Sequence, residues 1–196
     1  RDLIFHLDYQ MTLGITYFNI HGLSYSFDGP RKDEVPPSLF YQHTQWRWMP
    51  EVLKRARMLC ETLSSGKHLC STAVLYSSAS FYCHADPVSN GELESSIQRF
   101  VENLLSHQKD FDFIDEVTFG ELFDADPRRF IEKYRSFLLP DTEYMEQATA
   151  ERLERYAADG GKLMITGSVP RLLGKSPEQP LSVWENAETF RCTDYL

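Results

Sequence analysis

His21 and Tyr25 are the residues whose types and spacing best suit ligand binding. They follow a β-branched and aromatic stretch. A histidine donating to a hydroxyl, with a tyrosine that stacks or hydrogen-bonds, is chemistry that can hold a sugar. Packing within a loop uses the same residue types, and the pair alone leaves both readings open. Arg31 and Lys32 could meet a charged group, although a solvated or salt-bridged loop is the simpler reading. Trp46 and Trp48 could form a carbohydrate platform, but beside Met49 at a helix start they fit a core better. Cys83-His84-Ala85-Asp86 collects a thiol, an imidazole and a carboxylate in one loop. Those are ingredients of a nucleophile or a metal site, and they also fall together readily by chance.

Other chemistries find no support. The four cysteines, Cys60, Cys70, Cys83 and Cys192, form no CxxC pair, so no structural zinc site is expected. Scattered thiols fit a reducing compartment such as the bacterial cytoplasm. The first strand of the second half ends in Ser77-Ser78-Ala79-Ser80, which is no Gly-rich phosphate loop, so no nucleotide cofactor is expected. Thiol-dependent amidotransferase chemistry needs a cysteine on a strained strand-to-helix turn. The third strand of that half ends instead in Leu139-Pro140-Asp141-Thr142-Glu143.

Charge and hydropathy narrow the partners. The 196 residues carry a net charge of −9, which argues against nucleic acid. No apolar run approaches the ~20 residues of a membrane span. The charge is unevenly spread: residues 1–66 hold 7 basic and 7 acidic residues, and 67–196 hold 13 and 22. That shift places a boundary near residue 66.

The elements that would position these residues can be read from periodicity. Residues 2–13 predict a helix ended by Gly14, and 15–20 a strand. A loop over 21–44 follows, long enough to suggest function. Residues 46–63 repeat apolar positions at helical spacing. Beyond residue 66, strands are expected at 72–77, 111–115, 135–139 and 162–166. Between them lie a helix opened by a capping box at Ser89-Asn90-Gly91-Glu92, one or two short helices over 117–133, and a helix over 143–158. Such alternation predicts an α/β domain with a flavodoxin-like, doubly wound parallel sheet. The first 66 residues hold one strand, which cannot bury both its faces alone. Strand, long loop and amphipathic helix together make the repeating unit of a (β/α) barrel.

Residues 7–77 resemble large bacterial glycoside hydrolases, most closely glycoside hydrolase family 106, the α-L-rhamnosidase-like enzymes. The matching residues include Gly14, Phe18, Asn19, His21, Tyr25, Ser26, Gly29, Arg31 and Lys32. Pro36, Pro37, Ser38, Phe40, Tyr41, Gln42 and Trp46 continue the pattern, then Leu63, Gly66, His68 and Val74-Leu75-Tyr76. A weaker likeness runs through Phe111-Asp112-Phe113, Tyr134–Pro140 and Gly160–Gly167.

The resemblance implies three parts. Residues 1–66 would be the last strand–loop–helix unit of a TIM-type barrel, and 67–175 the class I amidotransferase-like α/β domain behind it. Residues 176–196 would be a linker or the start of a further domain. It implies substrate contacts from Asn19, His21 and Tyr25 to a carbohydrate, with no catalytic residue in this chain. Glycosidases need two carboxyl groups across the scissile bond, and in that architecture both sit on earlier strands. A strand without its neighbours is expected either to be loosely ordered or to be covered by a second copy, which would make a homo-oligomer. The alternative is a non-catalytic α/β interaction or oligomerisation module.

Overall fold

The computed structural model describes residues 2–24, 26, 28–30, 38–84, 86–174 and 188–190. Two compact units divide the chain, Arg1–His68 and Leu69–Leu196, close to the boundary that charge suggests.

Unit 1 is built on two helices, α1 (Asp2–Thr12) and α2 (Met49–Ser64). Leu7 and Met11 of α1 and Ala56 of α2 are buried together, and Leu3, Phe18, Val52, Leu59 and Cys60 pack around them. Gly14 ends α1 at φ +92°, where a residue with a Cβ would be strained. Its N–H reaches Met11 O at 3.0 Å and that of Ile15 reaches Gln10 O at 3.1 Å, a Schellman-type closure. Asp8 and Arg55 bridge the helices with both carboxylate oxygens. The pair is solvated, so it adds little stability.

The strand expected at 15–20 is not formed: among the described residues nothing pairs with it. It is nonetheless extended, and its exposure alternates with period two. Thr16, Phe18 and Ile20 are partly covered, while Ile15, Tyr17, Asn19 and His21 are exposed. That is how a strand behaves with one face on a helix and no ladder on either side.

Unit 2 holds a five-stranded parallel sheet. In chain order its elements are β1 (Thr72–Tyr76), α3 (Ser78–Cys83), α4 (Pro87–Ser106) and β2 (Asp112–Asp115). Then come α5 (Glu116–Ala125), α6 (Pro127–Lys133), β3 (Ser136–Pro140), β4 (Tyr144–Met145) and α7 (Gln147–Ala158). The last are β5 (Lys162–Thr166), β6 (Arg171–Leu172) and β7 (Glu188–Phe190). The sheet runs β2-β1-β3-β5-β7, with β4 and β6 a separate short pair. Of the stretch 176–196, read as a linker or further domain, Glu188–Phe190 pairs in parallel with β5, and the rest lies outside the described residues.

Both faces of the sheet are covered. Ala73, Leu75, Phe137, Leu139, Leu163 and Ile165 face α5, α6 and α7, where Phe119, Phe123, Phe130, Leu153 and Tyr156 complete the larger core. Val74, Leu138 and Met164 face Phe100, Val101 and Leu104 of α4. Sheets clothed on both sides need continuous apolar strands, and β1 and β3 supply them. Phe113 departs from that expectation. It pairs with Val74 but is 48% exposed, because β2 is the sheet's outer strand and α4 covers only the middle.

Helix boundaries differ from the sequence reading where capping decides them. α4 starts at Pro87, not at the Ser89 capping box. Asp86 Oδ1 accepts from Val88 N at 3.0 Å and Ser89 N at 2.9 Å, and proline favours the first helical position. Asp115 caps α5 in the same way, accepting from Val117 and Thr118 N–H, both at 2.9 Å. The Thr118 N–H, then its hydroxyl, holds the Asp115 carboxyl below its ordinary value. A depressed folded pKa gives stability that is present above the unfolded value of about 3.9 and lost as pH falls through the folded one. Asp115→Ala should therefore cost about 1 kcal/mol at pH 7, with a much smaller difference from the parent near pH 2. Thermal melts of both proteins at the two pH values check this. An undiminished difference in acid would mean the cap is not electrostatic.

Candidate functional site

The ligand residues suggested by the sequence fall in unit 1. Asn19 and His21 lie on the uncovered face of the extended segment, with Ile15 and Tyr17. Tyr25, Arg31 and Lys32 lie outside the described residues. Just past His21 the chain is fastened from the far end of the loop. Leu39 N donates to Gly22 O at 2.6 Å, buried Ser38 Oγ accepts from Ser24 N at 3.2 Å, and Gln42 Nε2 donates to Ser24 O at 3.0 Å. This fixes where the segment ends, and so where His21 stands. The covered face borders a groove of about 330 Å³ lined by Phe18, Ile20, Leu53 and Cys60, which Asn19 and His21 do not line. Trp46 packs edge-on against Phe40, whereas Trp48 is 59% exposed beneath Arg47, not in the core that its position suggested.

In unit 2 a ligand would be expected at the carboxyl ends of β1 and β3, since parallel sheets bind ligands where strand order reverses. Here that crevice is occupied by side chains. Ser77 caps α3, and Ser80 Oγ accepts from the backbone N–H groups of Glu143 and Tyr144 at 3.0 and 3.1 Å. Both serines are buried, and they meet each other at 2.8 Å. The serine run is thus a clasp joining the turn after β1 to the turn after β3.

The Cys83-His84-Ala85-Asp86 stretch is divided among separate tasks. His84 Nε2 lies 3.2 Å from Glu143 Oε2, Asp86 caps α4, and Cys83 is exposed. No group of three or more metal-ligating side chains occurs among the described residues. Burial pushes the Cys70 thiol up, and its Sγ donates to Thr72 O at 3.1 Å, so it is an inert packed thiol. Asp141, where a nucleophile would stand on an elbow, has φ +40° and accepts from Ser96 Oγ.

Beside the clasp, on the α5 and α7 side, is an open cleft of about 600 Å³. Glu116 forms part of its wall and accepts from the free N–H groups of Ser78 and Ala79 at 3.1 and 3.2 Å. At its floor Arg152 donates from Nε and Nη2 to Asp124 Oδ2 at 2.9 and 2.7 Å. Those bonds, ahead of the Arg152 charge, hold the Asp124 carboxyl below the usual carboxylate range. No sequence pattern marks this cleft, because its residues come from α3, α5 and α7 together with Glu146 and Leu173, and none forms a motif.

No protein-family profile matches the chain, and no curated protein does. Among solved structures, Gan42B, a GH42 β-galactosidase, is similar over 76% of this chain and 22% of its own length, at 17% identity and a TM-score of 0.51. A β-galactosidase from Bifidobacterium adolescentis is similar over 61% of this chain and 54% of its own, at 17% identity. Its TM-score is 0.42. The likeness to Gan42B is one of fold, and this chain spans only part of either protein. The stretch shared with Gan42B exceeds unit 2, so it includes residues of unit 1. Gan42B is a GH42 β-galactosidase, and its likeness does not support the family 106 resemblance over another glycosidase family.

Proposed function

We propose that the chain is part of a glycoside hydrolase that acts on terminal sugars. Unit 1 is the last strand–loop–helix of its barrel, and unit 2 is the amidotransferase-like domain that follows. The alternating exposure of 15–21 carries the reading. In a barrel, one face of each strand meets the outer helices and the other meets the interior. Thr16, Phe18 and Ile20 take the first role here, leaving Ile15, Tyr17, Asn19 and His21 for the second. Asn19 and His21 sit toward the carboxyl end, where barrel active sites form. Together with Tyr25 they would contact the sugar. The fold likeness to Gan42B supports the glycoside hydrolase reading, not the role of any one residue. For unit 2, the order β2-β1-β3-β5-β7 supports a flavodoxin-like, doubly wound sheet, since the five strands fall in the 2-1-3-4-5 arrangement when counted along the chain. The α-L-rhamnoside specificity of family 106 rests on the sequence resemblance alone.

The catalytic carboxyl groups would then come from other barrel strands, so the chain alone should not turn over chromogenic aryl glycosides. The full product of the encoding gene should hydrolyse at least one of them. In that protein His21→Ala should raise KM or lower kcat/KM by about 10- to 100-fold, as loss of a charged or polar sugar contact does. Hydrolysis by this chain alone, abolished by replacing one of its own carboxylates, would sink the reading. The non-catalytic association module is favoured by one observation: Phe113 and Tyr76, at the outer strand and its neighbour, are 48% and 43% exposed. A gene product with no barrel sequence and no glycosidase activity would decide for it.

A further inference from the structure

We propose that Tyr17 sets which terminal sugar the site accepts, its hydroxyl bonding a sugar hydroxyl remote from the anomeric carbon at the deep end of the pocket. The inference rests on the barrel reading above and adds a residue to it. Tyr17 shares the uncovered face of the extended segment with Ile15, Asn19 and His21, and its side chain is 83% exposed. Along a strand each second residue advances about 6.6 Å. Barrel sites open at the carboxyl ends of the strands. Tyr17 thus stands one such step below Asn19 and two below His21.

The residue type separates filling from binding. Barrel interiors are packed chiefly with branched aliphatic side chains, and Ile15 is one of these. Tyr17 brings a hydroxyl instead, and a hydroxyl buried without a partner costs free energy. The Tyr17 hydroxyl, like the Asn19 amide and the His21 ring, is engaged in no hydrogen bond among the described residues. Phe18, on the opposite face, packs with α1 and α2 and carries no polar group. Polar tips therefore descend the uncovered face at three successive positions, and Tyr17 is the deepest. An enzyme that removes a terminal sugar holds the scissile bond toward the mouth and the far end of the sugar inward. Hydroxyl groups at that far end distinguish the common hexoses, galactose and glucose differing only at the 4-hydroxyl. A site that hydrogen-bonds one of them rejects the analogue lacking it, which an apolar wall does poorly.

The test uses the full product of the encoding gene and a panel of 4-nitrophenyl glycosides that includes the β-D-galactoside and the α-L-rhamnoside. The 3-deoxy and 4-deoxy forms of the sugar it hydrolyses complete the set. Tyr17→Phe keeps the ring and should lower kcat/KM on the parent glycoside by about 3- to 10-fold, with the melting temperature unchanged. On one of the two deoxy substrates it should cause no further loss, since the bond is already gone. Tyr82→Phe, at a comparably exposed tyrosine of unit 2, should leave the rates as they are. No loss with Tyr17→Phe, or an equal loss on parent and both deoxy substrates, would overturn the proposal, while the activity itself left the barrel reading standing. A lower melting temperature with unchanged kinetics would put the hydroxyl against another strand and overturn it too. A gene product that hydrolyses no glycoside of the panel would take down the barrel reading and this inference with it.

Discussion

Phe137→Ala should remove about 3–5 kcal/mol from the stability of unit 2. Phe137 lies at the centre of the sheet, on β3 between β1 and β5, and is fully buried. Its ring meets Phe119 edge-on at 5.0 Å and Tyr156 at 5.8 Å, with Phe130 at 6.1 Å. Truncation loses the transfer energy of the ring and leaves a cavity whose walls cannot close in. Those walls come from α5, α6 and α7, each already packed against the others. A domain of this size has in total only about 5–15 kcal/mol. The substitution thus takes a large fraction, and the urea midpoint should fall by about 2 M at an ordinary m-value. Phe137→Leu keeps most of the volume and should cost much less. Denaturation followed by far-ultraviolet circular dichroism measures both. A loss under about 1.5 kcal/mol for the alanine variant would show that the aromatic cluster relaxes around the hole.

What could be read from sequence follows from which interactions are local. The parallel strands announce themselves because β1, β3 and β5 are short apolar runs, as doubly covered strands must be. α2 and α7 show their apolar spacing directly. Strand β7 could not be seen: Glu188, Thr189 and Phe190 carry no such run, and only the free edge of β5 makes a strand of them. Helix α3 was missed because it is six residues long and rests on the Ser77 cap and on Glu116, thirty-eight positions away from Ser78. The segment 15–20 shows the reverse case. Its β-branched and aromatic residues state a strand preference, and its exposure alternates with period two, but no strand forms because a ladder needs partners. Asn19 and His21, proposed above as sugar contacts, were legible because they sit in one short motif. The cleft in unit 2 was not, since Tyr82, Glu121, Glu146 and Arg152 become neighbours only through the crossovers of the sheet.

The turn after β3 offers a second large effect, and one that separates two causes. Asp141 has φ +40° and Gly167 has φ +75°, and the two lie side by side at the ends of β3 and β5. Asp141 N donates to Thr166 O at 2.9 Å, and the Asp141 carboxylate accepts from Ser96 Oγ. A Cβ added to Gly167 would collide with that carboxylate. Gly167→Ala should therefore carry two penalties: about 1–2 kcal/mol for alanine in the left-handed region, and about 1–3 kcal/mol for the overlap. Asp141→Gly removes the carboxylate and keeps the backbone N–H. It loses the Ser96 bond, but it also relieves a left-handed residue of its Cβ, so on its own it should be close to neutral. In the double variant the collision is gone and only the backbone penalty at position 167 remains. The double variant should then be more stable than the sum of the single effects predicts, by about 1–3 kcal/mol. Additivity within about 0.5 kcal/mol would show instead that the cost at Gly167 is purely conformational and that Asp141 moves aside freely.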